Sequence, residues 1–422
     1  MSKLAFLRHR HRWSVVVLVA VLSVGWLSGL PSWWIRQSVV SAIARRNYVS
    51  AWDRVKLASL LESNNPETEF LIARLERKRG NLDQVQRHLQ RAAARGLDSD
   101  RVHREELLIR AQTGQLTEII SELDQLLINH SDDGAEICDA YANGLLINGQ
   151  VTEAESLIQQ WQQAFPDDPQ PDYLLGRIAE FSGNMPGAES WYRKSLAKNG
   201  QYYVAANSLG RALGELGKWS EALKAYEACL AFHSPAPAKL GIARCLTNLG
   251  REEEALSLLR TLVEIPQANL NDSLMQLGEP IEIDALAFEL GSLEAKYDRT
   301  ETAVNLLNRA VEYNPKHREA RYQLARALRA AGRVDEARKH FDWYQETQEK
   351  VAEINRILDK VKLDPRNLDL RCRLGTLYLD VGSQSAGVFW LRSVLAEEPT
   401  HLAAKEALSK HVGAMNLPAR PL

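Results

Sequence analysis

Apolar residues recur every three to four positions along most of the chain, in segments separated by short polar breaks. This period places the apolar residues of each segment on one face of an α-helix. Glycines mark the breaks at nearly constant intervals of about 34 residues, at Gly80, Gly114, Gly149, Gly183, Gly217 and Gly250. The pattern predicts repeated pairs of helices, each pair joined by a glycine turn.

Two small residues and one large residue accompany each turn. Around Gly183, the small residues are Gly176 and Ala188, and the large residue is Tyr192. Antiparallel helices approach closely only where the side chains at their crossing are small. A proline often closes the unit, as Pro166 does, because proline does not continue a helix.

This register of small, small, aromatic and proline positions resembles the tetratricopeptide repeat. The resemblance is fullest over residues 172–234 and 284–315, and it extends over nearly the whole chain from about Pro31. It implies an all-α fold, a right-handed superhelical α-solenoid of helix pairs. It also implies a protein or peptide partner.

Ten turn positions predict ten helix pairs, the first of them degenerate. They are Arg46, Gly80, Gly114, Gly149, Gly183, Gly217, Gly250, Asp298, Gly332 and Gly382. A first array of about seven pairs covers residues 32–263, and further pairs cover residues 284–399. Residues 264–283, which include Pro266 and Pro280, interrupt the period and predict an irregular insert. Residues 400–422 predict a capping helix and a tail.

One helix is expected to be much longer than the others. Neither proline nor glycine interrupts residues 334–363, which predicts a helix of about 45 Å. Its far half has apolar residues at helical spacing, at Val351, Ile354, Leu358 and Val361. We expect that half to extend beyond the array. It would then fold back on the last pair or serve as a docking or dimerisation helix.

The N-terminal segment has the pattern of a transmembrane helix. Residues 14–30 carry no charge, and the span over residues 13–31 is flanked by Trp13 and Trp33 at the depths that indole rings prefer. Residues 1–12 are basic, which favours a cytoplasmic N-terminus with the repeats on the extracytoplasmic, periplasmic side.

Two further interpretations of this segment stay open. A basic stretch followed by an apolar one is also typical of a signal peptide, with a cut after Gly25, and the product would be a secreted solenoid. Gly25 and Gly29 form a G-x-x-x-G step that would let two such helices associate as a homodimer.

Composition excludes several kinds of function. Lys and Arg number 52 against 54 Asp and Glu, so no basic field points to nucleic acid. The ten histidines and four cysteines form no metal-binding, haem-binding or catalytic spacing, and no glycine loop is suited to phosphate. We therefore expect no cofactor, no metal and no enzymatic activity. A disulfide between Cys229 and Cys245 is the alternative to four buried thiols.

The resemblance implies a groove lined by the first helix of each pair. The position after the first small residue faces that groove, and four residues earlier lies a second groove position. The candidate residues are Tyr173, Arg177, Asn207, Arg211, Leu240, Arg244 and Arg326. Arginine binds carboxylates through two parallel hydrogen bonds, so the row predicts an extended, acidic peptide. The alternative is that Arg177 and Arg211 form only weak surface pairs with Glu180 and Glu215.

One known mode of peptide binding is excluded. Chaperone cofactors with this repeat hold a C-terminal carboxylate through lysine, asparagine and arginine, but Asp139 stands where the first lysine is needed, before Asn143. The sequence thus predicts a membrane-tethered, non-catalytic scaffold or adaptor. The alternative is an accessory or regulatory subunit of a membrane-bound envelope enzyme or assembly complex.

Overall fold

The computed structural model describes residues 30–128, 133–232, 236–265 and 283–412. These residues form 21 α-helices and no strand, which confirms the predicted all-α class. The chain divides into two compact units, residues 1–105 and 106–422, and the boundary falls within the fifth helix.

The described residues of the first unit form four helices and the start of a fifth. They are α1 (Leu30–Ala44), α2 (Tyr48–Leu61), α3 (Pro66–Arg79), α4 (Leu82–Ala94) and α5 (Ser99–Gln112), the last of which continues into the second unit. A buried ion pair joins α3 to α5, with Arg77 Nε 2.5 Å from Glu105 Oε1.

The second unit repeats the same helix pair. Its helices are α6 (Ile120–Ile128), α7 (Gly134–Ile147), α8 (Val151–Ala164), α9 (Gln170–Phe181), α10 (Met185–Lys198), α11 (Tyr203–Glu215), α12 (Trp219–Phe232), α13 (Ala236–Asn248), α14 (Glu252–Val263), α15 (Ile283–Lys296), α16 (Thr300–Tyr313), α17 (Arg318–Ala330), α18 (Val334–Leu363), α19 (Leu368–Asp380), α20 (Gln384–Glu397) and α21 (Leu402–Val412). Each packs chiefly against its neighbours in sequence, as in a repeat fold.

All ten predicted turn positions have left-handed backbone conformations. Eight of them are glycine, which adopts positive φ without a steric penalty. Arg46 and Asp298 adopt φ of 58° without that freedom. The repeat therefore imposes the turn geometry even at Arg46, whose side chain does not favour it.

The small residue of each first helix makes room for the large residue of the second helix. A Cβ atom at Gly176 would lie 2.4 Å from the ring of Tyr192, sixteen residues later. The same contact recurs at that separation between glycine and a tyrosine or leucine, at Gly210 with Tyr226, Gly291 with Leu307 and Gly375 with Leu391. The paired glycines and large residues therefore set the distance between the helices.

The long helix α18 has the 30 residues that its uninterrupted sequence indicates. Its far half does not extend beyond its neighbours. Ile354, Ile357 and Val361 are buried in one cluster with Leu374 and Leu377 of α19. The following pair therefore covers the apolar face that was the candidate for docking or dimerisation. This packing is favourable because it removes apolar surface from water.

Several predictions fall partly or wholly outside the described residues. These are the basic segment 1–12, the anchor as far as residue 29, most of the insert (266–282) and the end of the tail (413–422). Within the described ranges, no helix combines the length and the apolar character needed to cross a bilayer. All four cysteines are buried thiols, so Cys229 and Cys245 form no disulfide.

Candidate functional site

Two arginines of successive repeats converge on one carboxylate. Arg211, on α11, donates from Nε to Glu180 Oε1 at 2.6 Å and from Nη2 to Glu180 Oε2 at 3.1 Å. Arg177, one turn before Glu180 on α9, has its Nε 4.0 Å from Glu180 Oε2. The pairing predicted between Arg211 and Glu215 is wrong, because Arg211 reaches back to the preceding repeat. These three residues are called the arginine cluster below.

Hydrogen bonds hold both the carboxylate and the arginines of the cluster. Tyr192 donates its hydroxyl proton to Glu180 Oε2 at 2.7 Å, and Arg177 Nη1 donates to the Tyr173 hydroxyl at 3.0 Å. Burial raises the pKa of Glu180, but the charge and hydrogen bonds of Arg211, together with Arg177 and Tyr192, outweigh burial and hold it below its ordinary value. Glu180 is therefore ionised at neutral pH.

The other two candidate arginines lie in different surroundings. Arg244 donates from Nε to Glu289 Oε1 of α15 at 2.6 Å, across the insert. Arg326 is exposed and lies over the ring of Tyr322, on the same helix. The structure thus joins Arg177 and Arg211 into one cluster, whereas Arg244 and Arg326 belong to separate groups.

The residues expected to flank the arginines lie below the surface. Tyr173, Asn207 and Leu240 are all buried. Tyr173 packs edge-on against the ring of Tyr202, with 5.8 Å between ring centroids. These side chains therefore support the arginine-bearing helices from beneath, and the accessible chemistry is that of the guanidinium groups.

A buried polar network occupies the neighbouring repeat. Asp139 Oδ1 accepts hydrogen bonds from Asn143 Nδ2 at 3.0 Å and from Gln170 Nε2 at 2.9 Å. Asn143 is thus directed toward Asp139 on its own helix. This arrangement agrees with the exclusion of a lysine-based carboxylate clamp at this position.

The last complete helix pair lies beside the arginine cluster. Arg392 of α20 donates from Nη1 to the carbonyl oxygen of Ile147 at 3.1 Å, although 245 residues separate them. The rings of Phe389 and Phe181 lie 5.5 Å apart, and the Arg177 guanidinium lies 5.8 Å from the centre of the Phe181 ring. Sequence reasoning missed Phe181, Phe389 and the Glu289 partner of Arg244. No local spacing indicates a contact made over such separations.

The described part of the chain contains no group of three or more histidine, cysteine and acidic residues arranged to hold a metal ion. Burial raises the pKa of the Cys245 thiol to about 11, which keeps it protonated at neutral pH. The guanidinium groups of Arg177 and Arg211 are suited to recognition by charge and hydrogen bonding.

Comparison with known proteins recognises tetratricopeptide repeats in three segments. Models described as tetratricopeptide repeat match residues 141–203, 207–269 and 295–355. Over 116 residues the chain is 31% identical to human tetratricopeptide repeat protein 7A, and over 118 residues it is 28% identical to human tetratricopeptide repeat protein 7B. The matched segments are 27% and 28% of this chain and 14% of each relative, so the chain spans a small part of these relatives.

A crystal structure of the APC/C hetero-tetramer Cut9–Hcn1 is also similar. It is matched over 89% of this chain and 74% of that one, with 14% identity and a TM-score of 0.42.

Proposed function

We propose that the chain is a non-catalytic scaffold that binds an extended, carboxylate-bearing segment of a partner protein across α9 and α11. The observation that carries this proposal is the arginine cluster, in which Arg177 and Arg211 of successive repeats are held beside the same carboxylate. A linear segment that follows the repeats would meet both guanidinium groups in turn.

The cluster is suited to this task because its arginines are already positioned. Glu180 and Tyr173 fix the two guanidinium groups in the absence of a partner. A side chain that is ordered before binding loses less conformational entropy when the partner arrives. The planar guanidinium group offers several N–H donors at once, so it can hold Glu180 and a partner carboxylate together.

Removal of both cluster charges is expected to weaken binding of an acidic peptide at least about tenfold. Each hydrogen bond to a charged group contributes about 1.5–3 kcal/mol, and about 1.4 kcal/mol corresponds to a factor of ten. The measurement is fluorescence anisotropy of a labelled octaglutamate peptide with the full chain and its Arg177→Gln, Arg211→Gln double variant. The corresponding double lysine variant keeps the positive charges but not the paired N–H donors of arginine, so it should show an intermediate loss of peptide affinity.

Arg193→Gln is the matched control. Arg193 pairs with Glu189 and Glu221 on an exposed surface of the second helices, outside the cluster. Its replacement should leave peptide affinity unchanged. Equal affinity of the wild-type chain and a folded Arg177→Gln, Arg211→Gln variant would rule out the cluster as the binding site.

The scaffold is further proposed to be tethered to a membrane through residues 13–31, with residues 1–12 in the cytoplasm and the repeats on the periplasmic side. The charge-free segment supports this proposal. So do the first described helices, where Trp33, Trp34 and Leu60 are 46%, 67% and 83% exposed. Arg36 binds Glu62 at 2.5 Å, which holds the start of α1 beside the end of α2. The exposed apolar groups therefore lie near the end of α1 that follows the proposed anchor in sequence.

Full-length chain in nanodiscs with brominated lipids tests the tether. Bromine near the headgroups should quench the fluorescence of Trp33 and Trp34, because tryptophan prefers the membrane interface. The fluorescence of the Trp33→Phe, Trp34→Phe variant should therefore be quenched less than that of the wild-type chain. The control Trp191→Phe should show no such decrease in quenching. Recovery of the chain in the supernatant after an alkaline wash of native membranes contradicts the tether.

A further inference from the structure

Residues of α20 contact the earlier repeats beside the arginine cluster. We infer that the C-terminal pair, defined as α19 and α20, is a releasable latch that closes over the Phe181 side of this cluster. The inference rests on the proposed function, since it concerns regulation of the same site. Its structural part, closure of the pair, is measurable without a ligand.

The first element of the latch is a backbone contact at the turn between α7 and α8. Arg392 binds the Ile147 carbonyl oxygen, which belongs to the last turn of α7. Next to it, Gly149 approaches the backbone of Ser393 so closely that a Cβ atom at Gly149 would lie 2.4 Å from the Ser393 nitrogen. The turn glycine therefore serves two purposes here, the left-handed turn and the approach of a distant helix.

The second element connects the latch to the proposed binding surface. Phe389 packs against Phe181, which follows Glu180 directly in sequence. The Arg177 guanidinium group lies over the same Phe181 ring, 5.8 Å from the ring centre. A peptide passing from Arg211 to Arg177 would therefore meet Phe389 at the next step along α9.

The third element holds the opposite end of the C-terminal pair. Lys316 Nζ, between α16 and α17, donates to the Leu379 carbonyl oxygen at 2.7 Å. Gly382, in the turn of the pair, lies against the Lys316 side chain. The pair thus touches two sets of repeats, one before and one after the arginine cluster in sequence.

The chemistry of these contacts suits a latch better than a permanent interface. The hydrogen bonds of Arg392 and Lys316 go to carbonyl groups in the last turns of helices, which lack an intrahelical partner and can bind water after release. In contrast, α19 and α20 are joined to each other by buried apolar residues, among them Leu379, Leu391 and Val394. The pair can therefore separate from α7 and α9 as a folded unit while α19 stays packed against the far half of α18.

Closure lowers the apparent affinity of the cluster by the fraction of molecules that are open. An open fraction of about one tenth would weaken binding about tenfold, and release of the latch would restore it. The Phe389→Ala, Arg392→Gln variant removes the side-chain contacts from the C-terminal side and leaves every cluster residue intact. Arg373→Gln is the matched control. Arg373 lies on the same pair, and its ion pair is with Glu353 of α18, away from the contact with α7 and α9.

The test uses two measurements on the full chain. Spin labels at Thr152→Cys and Ala396→Cys, both at exposed positions beside the contact, report the distance across it. The four native cysteines are buried, so the engineered thiols are the accessible ones. We expect a short distance in the wild-type chain and the Arg373→Gln control. The Phe389→Ala, Arg392→Gln variant should show a longer distance and bind labelled octaglutamate about tenfold more tightly.

Each outcome decides a separate point. A distance that stays short in the Phe389→Ala, Arg392→Gln variant overturns the latch, provided that circular dichroism shows a folded chain. A longer distance with unchanged peptide affinity overturns its control of the cluster. Failure of the proposed function differs from both, since the Arg177→Gln, Arg211→Gln variant would then bind octaglutamate as well as the wild-type chain.

Discussion

Replacement of Glu105 by glutamine is expected to lower the free energy of unfolding of the first unit by about 3–5 kcal/mol. Arg77 and Glu105 form an ion pair whose side chains are 0% and 3% exposed. Glutamine is similar in shape to glutamate but carries no charge, so the buried guanidinium group loses the negative charge of Glu105. Urea unfolding, together with hydrogen exchange of the α3 and α5 amides, measures the loss.

A second ion pair between the same two helices provides the control. Arg101 of α5 binds Glu67 of α3 with both terminal nitrogen atoms of its guanidinium group, but the side chains of Arg101 and Glu67 are 35% and 43% exposed. Glu67→Gln should therefore cost no more than about 1 kcal/mol. The Arg77→Met, Glu105→Leu variant should recover most of the stability, because apolar residues can replace a buried ion pair. A Glu105→Gln variant as stable as Glu67→Gln would refute this account.

Introduction of valine at Gly241 is expected to destabilise the second unit by about 3 kcal/mol. A Cβ atom there would lie 2.4 Å from the ring of Tyr226, and the other side of that ring faces Gly210, where a Cβ atom would lie 2.8 Å away. The ring is thus held between α11 and α13 and cannot move aside. Thermal unfolding followed by calorimetry measures the change.

Gly200→Ala is the control for this second prediction. The nearest atom to a Cβ at Gly200 is the Leu196 carbonyl oxygen at 3.9 Å, an ordinary contact, so stability should change by less than about 0.5 kcal/mol. Tyr226→Leu in the Gly241→Val background should recover part of the loss, because the smaller side chain leaves space for valine. Additive effects of the two substitutions would show that the ring is not the obstacle.

Local features of the fold were predictable because local chemistry produces them. The left-handed turns follow from glycine spacing, and even Arg46 and Asp298 were placed by the period. The helix pairs follow from apolar residues at helical spacing. The Gly176 and Tyr192 contact is indicated by two positions that always lie sixteen residues apart.

The candidate site was less predictable because its contacts cross between repeats. The sequence placed Arg177 and Arg211 on equivalent positions but did not show that both reach Glu180. Arg244 finds its carboxylate on Glu289, 45 residues later, because the insert lengthens the step to the next pair. Such partners depend on how neighbouring pairs stack, which residue spacing alone does not determine.

The bond from Arg392 to Ile147 also affects the order of folding. Closing a loop of 245 residues is entropically unfavourable until the intervening helices have formed and brought the two ends together. During synthesis the chain emerges from its N-terminal end, and helices that are complete fold before the rest. The arginine cluster is therefore assembled before α20 exists. A partner present at that moment would meet the cluster while it is still open.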